Sequence, residues 1–186
     1  MAEEKIAERI GRELKYAGSI VDLYEDTMRL PDGSIEHWDH VAHRKGAAAA
    51  LPVMDDGRLI LVRQYRNSIE CETLEIPAGA RENTSEPTDV CAAREMEEEI
   101  GYHAGKIEKL LHISTTGGFC NEQLDIYLAT ELEKTSRHLD KGEDIRVEFL
   151  DPDEACRMIL DGEIIDAKTV SAIFAYREKL REEGQS

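Results

Sequence analysis

Apolar positions along this chain change period several times, and the changes mark its elements. Ile6, Ile10 and Leu14 stand at helical spacing and predict a short helix in the first dozen residues. From Gly18 to Arg29 the rhythm turns to alternation, Leu30-Pro31-Asp32-Gly33-Ser34 makes a turn, and a strand follows over 35–43. This predicts a β-hairpin standing ahead of the main body. Apolar runs over 47–54 and 58–66, parted by Asp55-Asp56-Gly57, read as core strands. A short strand over 72–76 stops at Pro77-Ala78-Gly79, and a loop over 79–85 leads to a helix over 86–100 that Gly101 ends. Strands over 106–114 and 124–132, a polar loop over 133–144, a strand over 146–150 and helices over 152–161 and 167–183 complete the chain. Strands interspersed with so few helices favour a mixed α/β sandwich over a regular βαβ wind.

The helix over 86–100 carries the densest chemistry. At 3.6 residues per turn, Glu95, Glu98 and Glu99 fall within an arc of roughly 100°. Ala92, Ala93, Met96 and Ile100 fill the adjoining arc and are expected to pack inward. By itself a glutamate run is usually a solvated face. Beside a buried edge, crowded carboxylates repel one another unless cations sit between them, and divalent metal is the obvious candidate.

With 186 residues the chain makes one domain, or one domain with a small appendage. A net charge of −17 argues against nucleic acid and anionic membrane surfaces as partners. A phosphate-bearing substrate remains open where arginines or bound metal reverse the local field. Cys71, Cys91, Cys120 and Cys156 form no CxxC pair and read as reduced thiols of a cytosolic protein. The N-terminus lacks an apolar signal core, and no apolar run approaches the ~18–20 residues of a membrane span. A cytoplasmic location is expected.

Gly79, Glu86, Arg94, Glu95, Met96, Glu98, Glu99, Gly101 and Tyr102 resemble the Nudix box. The seven-residue gap from Glu86 to Arg94 is kept, while six residues rather than the pattern's five separate Gly79 from Glu86. Around the box, RLPDG (29–33), LVRQYR (61–66), LEIPAG (74–79), GGFCNE (117–122) and DGEIIDAKT (161–169) are similar to the ADP-ribose pyrophosphatase branch of that family. The resemblance implies a Nudix-type α/β/α sandwich with a mixed sheet over 46–186, preceded by an N-terminal hairpin segment over 1–45 that serves dimerisation. It implies a homodimer whose subunits share the substrate sites, and Mg²⁺-dependent hydrolysis of ADP-ribose to AMP and ribose 5-phosphate. Another nucleoside diphosphate sugar, such as GDP-mannose, is the alternative substrate. A non-catalytic nucleotide-sugar sensor is a reading of a different class, against which the retained box glutamates count.

The same resemblance distributes roles. Metal, as two or three Mg²⁺ or Mn²⁺ ions, falls to the Ala78 carbonyl, Glu95 and Glu99, with Glu98 and Glu143 as further ligands. Glu143, Glu98 and Arg94 are the catalytic candidates: Glu143 as base or ligand, and Arg94 orienting a glutamate. Lys141 stands where some relatives hold a second acid, so the base is either Glu143 or a box glutamate. Glu86 is either a helix N-terminal residue or a support behind the metal. Substrate contacts fall to Arg66, Glu70, Gly118, Phe119 and Glu122, the two glutamates being rim charges otherwise. Arg63 is expected on the opposite strand face from Arg66, and Gly117 replaces a usual proline. Asp39 and His40 replace an Arg-Glu pair, and Trp38 either stacks on the nucleotide or fills the seam between hairpin and body.

Overall fold

The computed structural model describes residues 6–139, 141–142 and 144–184. Its N-terminal part is a three-stranded antiparallel sheet of β1 (Glu8–Ala17), β2 (Val21–Arg29) and β3 (Ile35–His43), in the order β1-β2-β3. The expected hairpin is β2 and β3; the expected leading helix is instead the third strand, and its residues 1–5 lie outside the described range. The reason is local. β1 shifts register between Arg9 and Gly11 and again between Leu14 and Tyr16. Such bulges break the period-two pattern and imitate helical spacing. A short isolated helix is marginal, whereas pairing with β2 occupies backbone groups and lets Arg12 fork onto Asp26 at 2.5 and 2.6 Å.

The main body runs β4 (Ala47–Pro52), β5 (Leu59–Arg66), β6 (Cys71–Glu75), β7 (Ala78–Ala80), α1 (Thr88–Ile100), β8 (Tyr102–Ser114), β9 (Gln123–Lys134), β10 (Arg146–Leu150), α2 (Pro152–Leu160) and α3 (Ala167–Glu182). An antiparallel sheet, β10-β5-β6, abuts a four-stranded sheet, β7-β4-β9-β8, in which β4 and β9 run parallel. Alternation sends successive side chains of β4 and β5 to opposite faces. Ala48, Ala50, Ile60 and Val62 pack on Cys91, Ala92, Met96 and Ile100 of α1. Ala49, Leu51, Leu59 and Leu61 pack with Ala155, Ala172, Ile173 and Tyr176 of α2 and α3. This is the expected α/β/α sandwich with a mixed sheet.

Several boundaries differ from expectation, among them β8, which begins at Tyr102 rather than at residue 106. Residues 78–80 form β7 on the edge of β4 rather than opening a loop. α1 begins at Thr88, not at residue 86, because Pro87 sits extended at the N-cap. The polar stretch begins later, since Glu133 and Lys134 complete β9. Gly101 ends α1 as expected, with φ 71° in the left-handed region, and β8 begins at once at Tyr102.

Candidate active site

β7 lies against α1, and the contact is set by a missing side chain. A Cβ at Gly79 would fall 2.1 Å from Oε2 of Glu95. One turn on, Glu99 is 4% exposed, and its Oε2 accepts from the Ala78 amide at 3.3 Å. The box helix thus aims two carboxylates, four residues apart, at the backbone of one short edge strand.

Arg94 organises the acids around it. Its guanidinium donates to Glu86 Oε1 at 3.1 Å, Glu95 Oε1 at 2.7 Å, Glu98 Oε2 at 3.0 Å and the Ala80 carbonyl at 3.1 Å. Burial works against its charge, but Glu86 and Glu95 hold the guanidinium above its ordinary range. Glu86 precedes the helix rather than belonging to it, and its Oε2 also accepts from the Glu82 amide at 2.6 Å. The inserted loop after Gly79 is closed by Arg81, which donates to the Glu86 carbonyl at 2.7 Å and to the Thr84 carbonyl. The extra residue therefore leaves Glu86 in reach of Arg94. Cys91 beneath them is buried, and burial with Glu86 and Glu95 pushes its thiol up to about 11. It is no nucleophile.

Arg66 ends β5 on the same face as Val62, hence on the α1 side, while Arg63 turns away to Glu148 at 2.5 Å. Arg66 forks onto Glu75 at 2.6 and 2.5 Å, beside an open cleft of about 480 Å³. Glu75 is 1% exposed and also accepts from Thr73 Oγ1 at 2.5 Å and from Lys168 Nζ. Burial opposes its charge, yet Arg66, Lys168 and Thr73 outweigh burial and hold the carboxyl at about 2.

The remaining candidates are dispersed. Glu70 occupies the β5–β6 turn at φ 53°, exposed to solvent. Gly118 and Phe119 are exposed on the loop between β8 and β9, which is sewn to β3: Val41 N donates to Phe119 O at 2.7 Å and Asn121 N to Val41 O at 3.1 Å. Glu122 accepts from Thr115 Oγ1 at 2.9 Å and lies 3.8 Å from His43 Nε2. Trp38 is 48% exposed on β3, so in this chain it does not fill the seam between N-terminal sheet and body. Directly opposite it, on the same sheet face, stand Asp26 of β2 and beyond it Arg12 of β1, joined as an ion pair. Ala93 is half-buried rather than fully inward. Glu143 lies outside the described residues.

Sequence reasoning missed three groups here. Glu75 and Lys168 are the first two, and the signal for Glu75 was a lone acid inside the apolar LEIPAG run. Arg137, in the polar stretch, donates to the Glu99 carbonyl at 2.7 Å and the Ile145 carbonyl at 2.8 Å. The last turn of α1 holds no basic residue of its own, so Arg137 supplies the positive charge that a helix C-terminus favours.

Carboxylates of Glu95 and Glu99 beside the backbone of β7 present oxygen donors, and the bare Gly79 leaves Glu95 room to stand there. Among the described residues, no three Asp, Glu, His or Cys side chains are arranged to hold a metal ion unaided. So open a set of donors suits a hard divalent cation that takes one or two carboxylates, keeps waters and binds substrate phosphates. The residues fit such an ion.

A hydrolytic site of this construction on this sandwich defines a class, and comparison with known proteins places the chain in it. The NUDIX domain family matches residues 43–173. The chain belongs to the Nudix hydrolase family. It is 38% identical over 166 residues to the ADP-ribose pyrophosphatase of Bacillus subtilis (strain 168), covering 88% of this chain and 89% of that one. It is 34% identical over 178 residues to the ADP-ribose pyrophosphatase of Mycobacterium tuberculosis (strain ATCC 25618 / H37Rv), covering 94% and 84%. A solved structure described as an ADP compounds hydrolase superposes with TM-score 0.88 at 22% identity, covering 98% of each chain, and shares the fold.

Proposed function

We propose that this chain is a divalent-metal-dependent pyrophosphohydrolase that cleaves ADP-ribose to AMP and ribose 5-phosphate. The observation that carries the reading is the Arg94 clamp, which gathers Glu86, Glu95 and Glu98 and leaves Glu95 against the bare Gly79. The two relatives named for ADP-ribose support the substrate. Glu95, Glu98, Glu99, Glu143 and the Ala78 carbonyl would hold two or three Mg²⁺ ions, with Mn²⁺ as a substitute. Bound metal would neutralise the diphosphate, polarise a phosphoryl oxygen and acidify the attacking water.

The chain's own residues supply the rest. Arg66 receives a diphosphate oxygen, and Glu143 or a box glutamate takes the proton from the water whose oxygen joins phosphorus. The bond from that phosphorus to the bridging oxygen breaks, and the leaving phosphate keeps the electron pair. Gly118, Phe119, Glu122 and Glu70 border the nucleotide, and Trp38 offers it a stacking face. Residues 1–45 form a dimerisation element. Ile10, Leu14, Tyr16, Ile35 and Trp38 exposed on the N-terminal sheet support a homodimer. A cytoplasmic setting belongs to the same proposal, supported by four cysteines that are all free thiols. No helix among the described residues is long and apolar enough to cross a membrane.

Product identification tests this. With Mg²⁺ and ADP-ribose, equal amounts of AMP and ribose 5-phosphate are expected, and slower turnover of GDP-mannose in parallel. Faster cleavage of GDP-mannose would move the substrate, and ADP-ribose binding without AMP release at saturating Mg²⁺ would return the sensor reading. Glu99→Gln should abolish turnover with the fold retained; unchanged activity would remove Glu99 from the metal site.

A further inference from the structure

Two segments singled out in the sequence, LEIPAG and DGEIIDAKT, have residues that no role above uses. In the structure they lock together in consecutive pairs. Glu75 binds Lys168, and the next amide, Ile76 N, donates to Thr169 Oγ1 at 2.8 Å. Thr169 is fully buried and donates in turn to Asp166 Oδ2 at 2.6 Å, which caps α3. The N-terminus of α3 is thereby fixed to the strand that carries Glu75.

We propose that Glu75 and Lys168 are positioning residues that aim Arg66 at the anionic substrate. The inference rests on the reading of Arg66 as a diphosphate contact. Glu75 takes Nε and Nη2 of Arg66, which sets the guanidinium plane and turns the Nη1 corner away from the carboxylate. The Arg66 side chain is 40% exposed, while Glu75 behind it is 1% exposed and Lys168 12% exposed. The fork therefore has a buried root and an open tip. That tip borders the cleft with Ser68, Ile69 and Asp166, and Glu99 is among the carboxylates acting on Arg66.

Lys168 also lies 3.0 Å from Asp166, so Arg66, Lys168, Glu75 and Asp166 sum to no net charge. What Lys168 adds is a second, fixed partner that keeps Glu75 ionised and stationary while Arg66 engages a phosphate. Stability alone is a weak reason for such a cluster, because buried ion pairs give little over apolar packing. Orientation is the better one: a planar fork is useful to a diphosphate only when pre-aimed.

The test uses kinetics and one signal that needs no substrate. Glu75→Gln, and the charge-balanced pair Glu75→Gln/Lys168→Met that strands no lysine, should raise KM for ADP-ribose about tenfold with kcat nearly kept. Arg66→Ala should raise KM comparably, and on that background Glu75→Gln should add nothing. In nitrogen-15 spectra, the Arg66 Nε–H should be protected from exchange in wild type and exposed in both Glu75 variants. An unaltered KM in both Glu75 variants, full additivity with Arg66→Ala, or an equally protected Nε–H in the variants overturns the proposal. A wild type that leaves ADP-ribose intact overturns the proposed reaction instead, and the Nε–H signal then decides the orienting role alone.

Discussion

Gly79 and Glu95 share one volume: a methyl group on the first would stand 2.1 Å from the carboxylate of the second. The obstacle is the far end of a flexible side chain, so Gly79→Ala can be accommodated by moving Glu95. Melting temperature should change little. Activity should fall about 100-fold, the scale of loss that an ångström-sized displacement of a reacting group brings. Kinetics and thermal melts on the same preparation check this; full activity would mean that Glu95 works from another position.

Glu75 fixes an acid limb of stability. Its carboxyl lies at about 2 in the fold against an ordinary 4.5. A depressed pKa contributes stability that is fully present above 4.5 and lost as pH falls from there toward 2. Urea unfolding at stepped pH should follow that limb in wild type. Glu75→Gln should be less stable at neutral pH and flatter across the window; an unchanged slope would contradict the assignment.

Arg137 closes the C-terminal end of the box helix from outside it. Arg137→Ala leaves the Glu99 and Ile145 carbonyls without this donor and should cost about 1–3 kcal/mol of stability. Amide exchange should quicken at His138, whose N–H donates to the Glu98 carbonyl at 3.0 Å. Hydrogen-exchange mass spectrometry over 135–145 reads this, and equal protection in the variant would show that the backbone contacts suffice.

The N-terminal sheet should pair two copies. Wild type is expected to elute with light-scattering mass twice 21.0 kDa, and Trp38→Glu, which places a charge on the exposed face, should shift it toward 21.0 kDa. A monomeric wild type would end the dimerisation reading.

Much of the sandwich was legible because its signals are local. The box helix declares its inward face through Ala92, Met96 and Ile100, and Gly101 supplies the left-handed stop. β1 was not legible, since two register shifts scramble its alternation. For Trp38 the sequence leaves stacking and the seam both open, because only the fold reveals that this residue is 48% exposed. Through the resemblance to the Nudix box, Arg94 could be assigned to orient a glutamate. Glu75 could not be paired, because one of its partners is nine residues away and another ninety-three.

That last separation sets a timetable for a newborn chain. Arg66 and Glu75 emerge together, but Lys168 and Thr169 follow Glu75 and Ile76 by 93 residues each. At ribosomal speeds of about 5–20 residues per second, roughly 5–20 s pass before they arrive. Early in that interval the residues of the box helix follow, while the strand that carries Glu75 still has no α3 to close over its charge. A nascent chain therefore cannot hold a finished substrate cleft until its last helix has been synthesised, and truncation anywhere before Lys168 leaves the acid of the cleft without its lysine.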